Sequence, residues 1–350
     1  MLTFIVPVYN RPDEVDELLQ SLCEQTLREF DVIVVEDGSD VSCRQVCSRY
    51  GQRLRLAYYA KENAGPGMAR NYGAERASGD WFVVLDSDVV LPPHYVESVV
   101  RSLHEMPCDA FGGPDRAHES FTPVQKAISY AMTSFFTTGG IRGSRRGLDR
   151  FYPRSFNMGV SRQLWQQLGG FRPMRFGEDI DFSLRMVEAG ARTRLYPDAW
   201  VWHKRRTDLG KFYRQVRNSG IARINLHILH PGSTKLVHLL PAAFTVGCVL
   251  LAAIVLMGAL GLACHATPLG IAPCTLIAAG GLPLVAYSVL ICADSTLRAR
   301  SLRVGLLSVP AAFIQLTGYG SGFIHAAWQR LVLRRGGEHF AFTDNRTFYA

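Results

Sequence analysis

The sequence has no Cys-x-x-Cys pair among its eight cysteines and no histidine beside one at zinc-ligand spacing, which excludes a zinc module and a thiol-redox motif. Reduced, buried thiols acting as small apolar side chains are the expected state. No Gly-x-Gly-x-x-Gly follows the first apolar run, where Val8-Tyr9-Asn10-Arg11 stands instead, and Gly65 and Gly67 lack a third glycine. Together with the absence of a Walker A sequence, this disfavours an NAD-linked oxidoreductase and a P-loop NTPase. The N-terminus has no basic segment and its apolar stretch is too short for a signal peptide, so the first domain is expected to remain cytoplasmic. Charge is scarce at 19% of residues, and residues 236–293 contain no Asp, Glu, Lys or Arg in a run of 58. That concentration excludes an ordinary soluble enzyme of even composition.

The net charge of +8 is placed informatively. Residues 201–235 hold eight Lys or Arg against one acidic residue, Asp208, directly before the apolar run. A basic collar in that position fits membrane lipids, and no nucleic-acid partner is expected. A hydrocarbon core of ~30 Å takes about 20 helical residues, so the uncharged run holds two spans, placed at 236–261 and 269–292. The following loop carries Arg298, Arg300 and Arg303, so by charge bias it and the N-terminal domain lie on the cytoplasmic side of an inner (plasma) membrane. A third apolar stretch, 304–327, contains Pro310 and several glycines and is read as a re-entrant or interfacial segment in preference to a third span. The expected organisation is therefore a domain at 1–208, an amphipathic interfacial helix region at 209–235, a membrane domain at 236–330 and a cytoplasmic tail at 331–350.

The first hundred residues alternate β-branched runs with amphipathic stretches, which predicts an α/β domain with a mostly parallel sheet flanked by helices. Strands are expected at 2–8, 31–35, 54–59 and 81–85, with helices at 13–28, 42–50, 67–77 and 92–105. Ligands collect at the carboxyl ends of such strands. Residues 111–149 read as a loop region beside the site. A further helix is expected from near Gly177 to Ala189.

Asp86-Ser87-Asp88 follows an apolar strand, and residues two apart on an extended chain point the same way, so both carboxylates face one spot. Hard oxygen ligands of this kind suit Mg2+ or Mn2+; a solvated acidic turn is the alternative for so short a motif. Gly177-Glu178-Asp179 opens a helix, where a carboxylate serves either as a cap or as a general base at a cleft edge. Arg142, Arg145 and Arg146 are candidates for holding an anionic acceptor, with a solvated basic loop as the alternative.

With Val6-Pro7-Val8-Tyr9-Asn10, Val35-Glu36-Asp37-Gly38-Ser39, Arg70-Asn71, Asp86-Ser87-Asp88 and Gly177-Glu178-Asp179 in this order, residues 3–205 resemble the inverting family 2 glycosyltransferases of the GT-A fold. The resemblance implies a nucleotide-diphosphate sugar donor. It places Pro7, Tyr9, Arg11 and Asp37 around the nucleoside, Arg70 near the pyrophosphate, and Asp86, Ser87 and Asp88 at ribose and metal. Asp179 corresponds to the catalytic base, and His203 is a candidate metal ligand beside Asp88. Asn157, Gly159 and Glu178 fall in segments resembling the acceptor side. The implied reaction moves a sugar to a hydroxyl of a lipid-linked saccharide acceptor for cell-surface glycan biosynthesis. A polyprenyl-phosphate sugar transferase is the alternative, and a catalytically inactive, membrane-anchored nucleotide-sugar-binding scaffold the second. A processive synthase fits less well, since Gln215-Val216-Arg217-Asn218 departs from that group's Gln-x-x-Arg-Trp element.

Overall fold

The computed structural model describes residues 1–116, 121–139, 151–204 and 208–335. The chain runs through β1 (Leu2–Val8), α1 (Pro12–Cys23), β2 (Phe30–Asp37), α2 (Arg44–Tyr50), β3 (Arg55–Lys61), α3 (Pro66–Ala74) and β4 (Trp81–Leu85). Next come β5 (Val89–Val90), α4 (Tyr95–Glu105), β6 (Ala110–Gly112), β7 (Asp115–Arg116), α5 (Pro123–Thr133), α6 (Phe135–Thr138), β8 (Asn157–Ser161) and α7 (Arg162–Leu168). The remaining elements are α8 (Glu178–Glu188), β9 (Thr193–Leu195), β10 (Val201–His203), α9 (Leu209–Leu229), α10 (Leu240–Ala263), α11 (Pro273–Ala299) and α12 (Leu302–Ala327).

A seven-stranded sheet has the order β3-β2-β1-β4-β8-β6-β9. Its first four strands are parallel, whereas β8 runs antiparallel to both β4 and β6. Alternation along the strands loads both faces. Phe4, Val6, Val34, Val83 and Leu85 pack on α1 and α4, while Ile5, Ile33, Val35, Phe82 and Val84 pack on α3, α7 and α8. The carboxyl ends of β1, β2, β3 and β4 consequently open onto one edge. A small second sheet, β5-β10-β7, stands at that edge. Its register sets His203 opposite Val89 and Val201 opposite Asp115, which carries β10 across to the segment after Asp88.

The expected strands agree with the observed ones to within two residues at each end. Three expectations need correction. First, α1 stops at Cys23 and α4 starts at Tyr95, both shorter than the amphipathic pattern predicts. Second, the supposed loop region contains β6, β7, α5 and α6 among its described residues. The signal overlooked there is a capping box, in which Thr122 accepts from the Gln125 amide N–H and the Gln125 side chain accepts from that of Thr122, with Pro123 at the first helical position. Third, residues 302–327 form one unbroken helix through Pro310, about 39 Å long at 1.5 Å per residue, and not a segment that enters and turns back.

α10 and α11 are the two helices long and apolar enough to cross a membrane among the described residues. They present Val249, Leu250, Leu256, Leu282, Val285 and Val289 outward. α12 is more deeply packed along one face, with Ala311 and Ala312 fully buried and Ser308 bonded to Ser295 of α11, while Leu306 and Ile324 stay exposed. α9 buries one face, with Phe212, Val216, Ile221 and Ile224 packed against α5 and α12, and leaves Lys211, Tyr213, Arg214 and Ile228 exposed on the other. The crossing of α9 with α12 is built on glycine. A Cβ at Gly322 would lie 2.1 Å from the Arg217 carbonyl oxygen, and one at Gly220 would lie 2.1 Å from that of Tyr319.

Candidate active site

The edge loops are tied to one another before any ligand is considered. Asn10, in the left-handed region at φ 54°, accepts through Oδ1 from the Asp40 and Val41 amides at 2.7 and 3.0 Å. Asp37 sits opposite Lys61 in the β2–β3 register, and its buried carboxylate accepts from Lys61 Nζ at 2.8 Å, Ala64 N at 3.0 Å and Gly65 N at 2.8 Å. The neighbouring Glu36 is buried on the other face. Burial favours its neutral form, but hydrogen bonds from Tyr58, Ser42 and Cys43 together hold it below the usual carboxylate range. Pro7 is buried within β1, whereas Tyr9 just beyond it is 51% exposed and presents a free ring face at the edge.

Asp86, Asp88 and His203 converge, with one ligand atom from each lying within 4.8 Å of the others. His203 Nε2 is 3.2 Å from Asp88 Oδ1, and its ring stacks on Phe156 at 5.1 Å between centroids. The backbone adds a tie, from Lys204 N to the Asp88 carbonyl at 3.0 Å. Arg11 Nη1 meets Asp88 Oδ2 at 2.6 Å. Ser87 is buried between the two aspartates. Two carboxylates and an imidazole at this separation form a donor set that fits Mg2+ or Mn2+.

Arg70, 2% exposed, spans the cleft floor. Its Nη2 bonds Asp86 Oδ1 at 2.8 Å and its Nη1 bonds Glu178 Oε1 at 2.9 Å, while the guanidinium lies 5.2 Å from the Phe171 ring centre. The charge expected to meet a pyrophosphate is thus spent inside the protein, joining the aspartate cluster to the first turn of α8. Gly177 caps that turn at φ 83°. Glu178 and Asp179 then diverge electrostatically. Burial pushes the Glu178 carboxyl up to about 7, opposed by Arg70 and aided by the adjacent Asp179. Burial also acts to raise Asp179, yet Arg154, whose Nε lies 2.6 Å from Asp179 Oδ2, holds it below the usual range.

The structure therefore brings Tyr9, Arg11, Asp37, Arg70, Asp86, Ser87, Asp88, Glu178, Asp179 and His203 to one edge. Two others are enclosed, Asn157 opposite Leu85 at the end of β4 and Gly159 opposite Val83. Asn157 is fully buried within the sheet, donating to the Ala199 carbonyl at 2.8 Å and accepting from the Tyr95 hydroxyl at 2.5 Å. Gly159 is packed so closely on Phe111 that a Cβ would lie 2.0 Å from its ring. The described contacts of both lie within the protein. Arg142, Arg145 and Arg146 lie outside the described residues. Sequence reasoning missed Arg154, Lys61 and Phe156. Only Lys61 had a signal, as the terminal residue of a strand paired with the one that ends at Asp37.

Residues 3–167 match the family model described as Glycosyl transferase family 2. A validoxylamine A glucosyltransferase of Streptomyces hygroscopicus is 39% identical over 114 residues, 31% of this chain and 27% of that protein. Glycosyltransferase GlyA of Streptococcus pneumoniae is 34% identical over 109 residues, 31% of this chain and 16% of that one. An uncharacterized glycosyltransferase of Haemophilus influenzae is 30% identical over 194 residues, 54% and 62% of the two chains. The chain thus spans less than two thirds of each of these relatives. Among solved structures, a mannosyltransferase from Pyrobaculum calidifontis in complex with GDP-Man and Mn2+ shares the fold at a TM-score of 0.55 and 17% identity, covering 95% of this chain and 88% of that one. Residues 3–167 are therefore similar to the family 2 glycosyltransferases, and the chain has a GT-A-like α/β fold.

Proposed function

We propose that the chain transfers a sugar from a nucleotide-diphosphate donor to a hydroxyl of a saccharide acceptor presented at the membrane surface, with inversion at the anomeric carbon. The observation that carries this reading is Arg70, which joins Asp86 on the metal-ligating side to Glu178 beside Asp179, so that leaving-group and base functions lie one guanidinium apart. Asp86, Asp88 and His203 would hold the divalent cation, whose chemistry there is to stabilise negative charge on the departing diphosphate. Tyr9 offers its exposed ring to the base, and Arg11 is placed to pair with donor phosphate once it leaves Asp88. Asp179 takes the acceptor hydroxyl proton as that oxygen attacks the face opposite the diphosphate. Arg154 keeps Asp179 ionised and aligned until then.

The membrane role rests on α10 and α11. Lys235 precedes the first and Arg298, Arg300 and Arg303 follow or end the second, so both basic ends share the cytoplasmic side, where donor is available. A lipid-linked saccharide is the acceptor that such a placement delivers to the cleft. The test is to incubate membranes containing the protein with a panel of labelled nucleotide sugars and Mn2+, then extract lipid-linked material. Label from one donor is expected with wild type, and a loss of about a hundred- to ten-thousandfold with Asp179→Asn, which should still bind donor. Equal transfer by Asp179→Asn, or none by wild type from any donor, would contradict the assignment.

A further inference from the structure

His230 closes α9, at the point where the chain turns toward α10. Its side chain is 4% exposed. Nδ1 lies 2.7 Å from Glu188 Oε1, and Nε2 lies 2.9 Å from Asp181 Oδ1. An ionised carboxylate only accepts hydrogen bonds, and a neutral imidazole donates from one nitrogen alone. With a carboxylate oxygen at each nitrogen, both bonds form only when the ring carries two protons.

Asp181 is fully buried on α8 and is further held by Arg172 Nη1 at 3.1 Å and Arg185 Nε at 2.9 Å. Arg185 continues to the Leu168 and Gly170 carbonyls at 2.8 and 2.7 Å, so the network ties α8 to the end of α7 as well. The charged groups facing the ring from α8 are therefore Asp181 and Glu188, with Arg185 and the preceding-loop Arg172 beyond Asp181. α8 touches α9 at its start too, where a Cβ on Gly177 would lie 3.2 Å from Ala222 and 3.4 Å from Leu226. Asp181 lies in the first turn of α8, where an exposed carboxylate would serve the helix end alone. In the structure that carboxylate is turned into this network instead.

We infer that His230 is a positioning residue: as an imidazolium bridging Asp181 and Glu188, it fixes the helix that carries Glu178 and Asp179 to the helix that leads into the membrane hairpin. The bond to Asp181 raises the ring's affinity for its proton, burial opposes this, and Glu188 reinforces it. A group whose folded value is raised holds its contribution at lower pH and loses it as pH rises through that value. The bridge is accordingly favoured as pH falls and opens as pH rises through that value. The sign is opposite to that of Asp179, whose ionised form is lost on the acid side.

The inference rests on the proposed transfer reaction for its catalytic consequence alone, so the experiment has two readouts on the full-length protein in detergent. Nitrogen-15 spectra of labelled histidine, assigned with His230→Gln, are expected to show both His230 nitrogens protonated at pH 7. Hydrogen exchange in residues 178–188 should accelerate as His230 titrates and lose that pH dependence in His230→Gln. Glu188→Gln, at the more exposed partner, guards against a folding failure and should shift the His230 titration to lower pH. Where transfer is measurable, His230→Gln is expected to lower kcat by about ten- to a hundredfold with the donor KM unchanged, and to abolish the alkaline limb of the wild-type profile. A neutral His230 at pH 7, or α8 exchange indifferent to both variants, would overturn the bridge whatever the substrate. An intact bridge without transfer from any donor would overturn the functional proposal alone.

Discussion

Adjacent carboxylates with opposite environments are the means by which one helix turn supplies two different groups. Glu178 is pushed up to about 7 by burial, while Asp179, one residue on, is held down by Arg154. In the proposed reaction, a base that stays ionised across the working range suits the abstraction of a proton already weakened by attack, and the arginine would set the pH at which it is lost. In Arg154→Ala the burial of Asp179 is opposed only by the more distant Arg70 and the Ile180 N–H, so its folded value rises. A carboxylate with a depressed value is active above that value and fails as pH falls through it. The acid limb of kcat/KM should therefore move to higher pH in Arg154→Ala, while donor affinity at neutral pH stays near wild type. A pH–rate profile superimposable on the wild-type one would mean that Arg154 does not govern the base.

At the scale of elements, α9 and α12 cross where no side chain fits. A Cβ at Gly322 meets backbone, the Arg217 carbonyl oxygen at 2.1 Å, and backbone cannot rotate away. Gly322→Ala should cost about 1–3 kcal/mol, read as a lowered Tm in detergent, whereas Gly247→Ala, with nothing within 4 Å of its Cβ, should leave Tm unchanged. Comparable Tm values for the two variants would show that the crossing is looser than described. The glycines were visible in the sequence but not their partner, since nothing in a residue string says that 322 meets 217. The same limit explains what else was legible. Strand ends such as Asp37 and Asp88 could be read, because a strand's apolar run points to its own polar terminus. The burial of Asn157 and Gly159 was not legible, because their partners Ala199, Tyr95 and Phe111 come from distant parts of the chain. Arg154 and His230 were illegible for a related reason: a lone arginine or histidine gains meaning only from the carboxylates that tertiary packing brings to it.

The whole molecule joins a cleft to a hairpin of two apolar helices through α9 and α12. Native cysteines report the proposed topology. Cys264 and Cys274 are exposed at the hairpin tip, whereas Cys23, Cys43, Cys47 and Cys108 are buried in the domain. In intact cells a membrane-impermeant maleimide should therefore label Cys264 or Cys274, and not Cys264→Ser/Cys274→Ser. Labelling of the tip only after permeabilisation would place it in the cytoplasm and invert the arrangement. In the cleft, the proposed function needs a nucleotide diphosphate to be held through a cation at the cluster of Asp86, Asp88 and His203. Isothermal titration of the purified protein with UDP, GDP, dTDP and CDP, with and without Mn2+, tests it most directly. Mn2+-dependent binding of one nucleotide, abolished by Asp88→Ala, is expected; binding indifferent to Mn2+ and to Asp88→Ala, or no binding of any nucleotide, would refute a cation-held donor.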